Sequence, residues 1–121
     1  MGHKDLKFIV PIRDGRDVWA SFQNYDWGPS SVEQAAKWWS QTLSATDGVE
    51  GFHHIRYEDL LEDPKKCLGE IYEYIDLEYE EVDFTPSTAS VGRYKKDLSE
   101  KDLEIFNDIA GEQLRRYGYE T

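Results

Sequence analysis

The sequence predicts an α/β fold: one domain over residues 1–121, with about two parallel strands, four helices and part of a doubly wound sheet. Three observations carry this. Phe8, Ile9, Val10 and Ile12 make a nearly continuous β-branched and aromatic run that halts at Arg13, the pattern of a strand buried on both faces of a parallel sheet. A second short apolar run with Phe52, Ile55 and Tyr57 follows an intervening helix. Segments whose apolar residues recur at helical spacing fill the rest, and 121 residues suffice for one core but not two. Two strands are a thin sheet, so a strand apolar on both faces expects further neighbours.

The first strand ends at a corner. Asp14 and Gly15 supply turn chemistry, and Asp17 can cap a helix carrying Val18, Trp19 and Phe22. Free N–H groups and the positive end of the helix dipole make such a corner an anion site, with Arg13 and Arg16 beside it. Ser21 lies one turn into the helix, where its hydroxyl can point back toward the corner.

A Gly-Pro-Ser-Ser loop follows, and Ser31 with Gln34 forms a capping box opening a helix whose apolar face is Val32, Ala35, Ala36, Trp39 and Leu43. Trp38 and Trp39 cannot share a face at a 100° step, so one of them is expected toward a groove or loop rather than the core; for Trp38 ordinary packing is the expectation, ahead of a substrate-facing role. In the second strand His53 and His54 point to opposite faces, and no Cys or His cluster completes a metal site. Tyr57, Glu58 and Asp59 end that strand, the two carboxylates within reach of Arg56. Asp63 as cap and Pro64 at the first position open a helix with Leu68, Ile71, Tyr72 and Ile75 on one face. Residues 77–90 read as an acidic, then Ser/Thr/Pro-rich loop. It leads into Gly92, Arg93, Lys95 and Lys96, the one dense basic cluster in the chain. The last helix is capped by Ser99, carries Leu103, Phe106, Ile109, Ala110 and Leu114 on one face, and ends at Gly118.

Charge narrows the partners. Fourteen Lys and Arg stand against 25 Asp and Glu, a net charge of −11, which repels nucleic acid and confines any anion to a local basic pocket. The single cysteine, Cys67, excludes an internal disulfide, reads as a small buried helix residue and suits a reducing, cytoplasmic location. No apolar run reaches the length of a membrane span, so no membrane partner is expected of this chain.

The corner also resembles a family. An arginine at a strand end, a turn of the form RDxRD and a serine eight positions on, here Arg13 and Ser21, are similar to the 3′-phosphate-binding segment of sulfotransferases that use 3′-phosphoadenosine 5′-phosphosulfate (PAPS). RYEDLLEDP from Arg56 to Pro64 and GRYKKDLS from Gly92 to Ser99 resemble later segments of that family, in the same order. The resemblance spans nearly the whole chain and corresponds to the C-terminal half of a family domain. It implies a partial P-loop-type, sulfotransferase-like sheet. Arg13 and Ser21 would hold the 3′-phosphate, Tyr57 the adenine, and Gly92 and Arg93 would close over the phosphate. Cytosolic members carry an Arg-Lys-Gly triplet slightly upstream, where this chain has Ser87, Thr88 and Ala89, and that leaves Arg93 as the second phosphate contact.

The implied co-substrate is PAPS, or its product adenosine 3′,5′-bisphosphate, with a hydroxyl or amine on a small-molecule or carbohydrate acceptor. No GxxxxGK[ST] or related loop occurs, and the family's phosphosulfate loop and catalytic base belong upstream. No catalytic residue is therefore assigned, and the isolated chain is expected to bind nucleotide without turnover. The competing reading is a non-catalytic nucleotide-binding or protein-interaction remnant of the fold. A strand stripped of neighbours exposes unpaired backbone and apolar surface, so a homodimer is expected.

Overall fold

The computed structural model describes residues 6–23, 25–80 and 87–121. Among these the order is β1 (Phe8–Ile12), α1 (Gly15–Phe22), α2 (Val32–Ser44), β2 (Phe52–Arg56), α3 (Tyr57–Glu62), α4 (Pro64–Tyr74), α5 (Tyr94–Asp97) and α6 (Glu100–Arg116). The strands pair in parallel, Phe8 opposite Phe52 and Ile12 opposite Arg56. The α/β class and the two-strand parallel sheet are those the sequence predicts. Two short helices, α3 and α5, join the four expected. Of the loop expected over 77–90, residues 81–86 lie outside the described residues.

The chain divides into two compact units. The first, Met1–Arg13 with Gly48–Ala89, holds the sheet, α3 and α4. β1 is less covered than its composition demands, because β2 is its one strand neighbour among the described residues. Ile12 is buried, but Phe8 is 47% exposed and meets Phe52 in a stacked pair with centroids 4.9 Å apart. Asp63 caps α4 by accepting from the Lys66 N–H at 3.2 Å, with Pro64 following, as the sequence indicates. Cys67 is buried on α4, and desolvation pushes its thiol pKa up, helped by Asp59, Glu70 and Asp63. α4 ends in a Schellman motif. The Leu77 N–H donates to the Tyr72 carbonyl and Asp76 takes the left-handed position at φ 61°. Its carboxylate meets Lys7 Nζ at 2.7 Å.

The second unit, Asp14–Asp47 with Ser90–Thr121, contains α1, α2, α5 and α6. α2 buries the five predicted side chains, and the step between its two tryptophans separates them: Trp39 is 6% exposed, Trp38 50%. Ser31 Oγ accepts from the Gln34 N–H, but Gln34 Oε1 accepts from the N–H and hydroxyl of Ser30, so the reciprocal half of the box slides back one residue. α6 buries Phe106 and Leu114 completely. Past Arg116, Gly118 at φ 82° closes a second Schellman turn, in which the Tyr119 N–H reaches the Leu114 carbonyl at 2.9 Å. That turn buries Tyr119, whose ring centroid lies 6.4 Å from that of Trp39.

Gly15 opens α1 with no room for a side chain. A Cβ there would sit 2.6 Å from the Trp39 ring and 2.7 Å from that of Phe106. Gly15→Ala is expected to destabilise by about 2–3 kcal/mol, because the overpacking outweighs alanine's helix preference. Urea unfolding checks this, and an unchanged or raised midpoint would mean that both rings yield freely.

Candidate functional site

In the second unit a carboxylate organises the residues singled out from sequence. Asp17 lies in the first turn of α1, 1% exposed. One oxygen accepts from the Gly92 N–H at 2.9 Å and the other from the Tyr94 N–H at 3.0 Å. Gly92 holds φ 75°, which a glycine adopts without strain and which directs its N–H to the carboxylate. The clamp sets Arg93 over α1, where Nη1 donates to Ser21 Oγ at 3.3 Å. Arg93 Nε also donates to Asp97 Oδ2 at 2.9 Å, in a pair about one-third exposed on both sides. Ser21, Gly92 and Arg93 thus meet, although 72 residues separate the serine from the arginine. Lys95 and Lys96, grouped with Arg93 by sequence, are exposed instead.

Two expectations about the corner need correction. The cap of α1 is Asp14, not Asp17, because the helix begins at Gly15 and Asp14 Oδ1 is the acceptor for the Arg16 N–H at 2.9 Å. Arg16 is not held ready for an anion. Its guanidinium is 3% exposed and donates from Nε and Nη2 to the two Asp14 oxygens at 3.0 and 2.8 Å. It also lies over the Tyr94 ring, 4.2 Å from the centroid. Burial works against the Arg16 charge, but the hydrogen bond and charge of Asp14, with Tyr94 and Asp17, outweigh it and raise the pKa. Arg16 is therefore neutralised by Asp14, and Arg93 is the cation set beside the Ser21 hydroxyl.

In the first unit Arg13 and Tyr57 come together. Arg13 directly follows β1, and its guanidinium stands 5.6 Å from the Tyr57 ring centroid. Tyr57 begins α3 rather than ending the strand, because the chain turns helical directly after Arg56. Glu58 and Asp59 accordingly lie in a first helical turn, 4.0 and 3.9 Å from Arg56 Nε. His53 stacks on Tyr74, centroids 4.7 Å apart. Among the described residues no cluster of three or more His, Cys, Asp or Glu could hold a metal, and no helix is long and apolar enough to cross a membrane.

Sequence reasoning missed Asp17 and Asp97 as partners of this site. The signal was helical spacing: Asp17 is four residues before Ser21 and Asp97 four after Arg93, so each shares a face with its neighbour.

A model of the sulfotransferase family matches residues 3–81, well over half of the chain, including Arg13, Ser21 and Tyr57. No curated protein and no solved structure matches. The chain belongs to the sulfotransferase family.

Proposed function

We propose that this chain is the adenosine- and 3′-phosphate-binding part of a PAPS-dependent sulfotransferase. The transfer passes a sulfuryl group from PAPS to an acceptor hydroxyl or amine. A new S–O or S–N bond forms, the S–O bond to the phosphate breaks, and adenosine 3′,5′-bisphosphate and the acceptor's proton leave. Such a reaction depends chiefly on positioning and charge stabilisation. The observation that carries the reading is the Arg93–Ser21 contact: a guanidinium and a hydroxyl from distant parts of the sequence, on a loop held by backbone hydrogen bonds, suit a phosphate dianion. Arg13 and Tyr57 are proposed as further nucleotide contacts on the strength of the family resemblance. The lone buried cysteine suits a cytoplasmic location in this reading.

Isothermal titration with adenosine 3′,5′-bisphosphate tests the site. Arg93→Ala is expected to weaken binding about tenfold or more, through loss of a charge-assisted contact. Asp97→Asn is expected to tighten binding several-fold, since the phosphate no longer competes with a carboxylate for Arg93. Equal affinity across wild type and both variants would remove Arg93 from the site.

The same reading includes a homodimer through β1, motivated by the exposed Leu6 and Phe8. Sedimentation velocity at micromolar concentration should show a dimer, and Phe8→Lys should dissociate it. A wild type that sediments only as a monomer disproves this.

A further inference from the structure

The loop after α1 builds a second feature that the nucleotide reading does not use. Phe22, Trp27, Gly28, Pro29, Gln34 and Trp38 line an open cleft of about 460 Å³ within the second unit, inside the size range of small-molecule sites. Its aromatic residues are unusually open to solvent: Trp27 is 65% exposed and Trp38 50%. Tyr25, 56% exposed, backs Trp27 in a stacked pair with centroids 5.3 Å apart. Phe22 meets Trp27 edge-on, at 5.2 Å and 73°. Gly28 at φ 101° makes the bend, and a Cβ there would press on the Phe22 ring at 3.3 Å.

We propose that this cleft binds a small organic cation, of the alkyl- or quaternary-ammonium class, by cation–π contact with Trp27, Trp38 and Phe22. Among the described residues the lining holds no lysine or arginine to take an anion. Among the described lining residues the amide side chain is that of Gln34, whose oxygen already accepts from Ser30, so a polyhydroxyl ligand finds few acceptors. A flat ring needs near-parallel walls, whereas Phe22 and Trp27 stand steeply inclined and the stacked pair, Tyr25 on Trp27, is closed on itself. A rounded ammonium suits inclined ring faces. Asp26 and Glu33 flank the cleft in sequence against the single Lys37, and the net charge of −11 adds a field that draws cations. That the ligand's hydroxyl or amine is the sulfuryl acceptor rests on the reading above, but its binding does not.

The test titrates the whole chain, without nucleotide, with choline and with its uncharged isostere 3,3-dimethylbutan-1-ol, followed by tryptophan fluorescence and calorimetry. Choline is expected to bind at least about tenfold more tightly than the isostere. Trp27→Ala and Trp38→Ala should each weaken choline about tenfold, and Trp38→Phe much less because a ring face remains. Both tryptophans are exposed, so thermal unfolding should stay unchanged in these variants and exclude misfolding as the cause. Equal affinity for the two probes, no choline binding at tens of millimolar, or indifference to both alanine variants overturns the proposal. Choline binding retained in a protein that fails to bind bisphosphate would sink the nucleotide reading alone.

Discussion

Asp17→Ala is expected to lower stability by about 3–4 kcal/mol and to abolish measurable bisphosphate binding. The carboxylate is buried and satisfies two backbone N–H groups, and its removal leaves both donors without their charged acceptor. The loss is a large share of the margin of a small domain and corresponds to a fall in Tm of roughly 10–15 °C. Asp17→Asn should fall between, because an amide oxygen can keep one N–H while its NH2 faces the other. Thermal unfolding and titration calorimetry on the two variants decide the matter. Wild-type stability in Asp17→Ala would mean that the Gly92 loop holds its shape by other contacts, and the role given to Asp17 would be wrong.

The second large effect belongs to the salt bridge at the start of α1. Arg16→Met is expected to cost about 3–5 kcal/mol, since it removes the guanidinium that donates to both oxygens of an Asp14 carboxylate only 7% exposed. Most of that cost is the penalty of a buried carboxylate that has lost its counter-charge rather than the worth of the pair. Asp14→Ser with Arg16→Met should therefore recover much of the loss, because serine retains the cap while removing the charge. Chemical denaturation of the two single variants and the double variant closes the cycle. A double variant no more stable than Arg16→Met would contradict this account of the pair. By contrast, Arg93 shares its charge with an exposed partner, and its replacement should leave the unfolding midpoint near wild type while it weakens binding.

Much of the fold was legible because its signals are local. Ser31, Asp63 and Ser99 each cap the helix they precede, and Gly118 ends α6 in the left-handed conformation. The Trp38–Trp39 step separated a buried ring from an exposed one. The site was half legible. Ser21 and Arg93 could be named from the resemblance, but what holds them together could not. Asp14 and Asp17 both suit a cap, and the choice turns on a helix start that sequence places only to within a few residues. The second role of Asp17 depends on amides 75 and 77 residues away, which no local pattern contains. β1 failed for a different reason. Apolar composition states how much cover a strand requires, whereas the cover it receives depends on its neighbours, and Phe8 remains half open.

The separation between Asp17 and the amides it holds also sets an order of events in time. α1 can form within itself on the scale of helix nucleation, but Ser21 gains Arg93 only once a loop of 72 residues has closed. During synthesis α1 emerges long before residue 92 is made, so the contact between Ser21 and Arg93 matures late. A ligand that needs both residues is expected to bind once that contact has closed. Bisphosphate should leave the refolding rate unchanged and slow unfolding, giving the protein a longer native lifetime rather than a faster route to it.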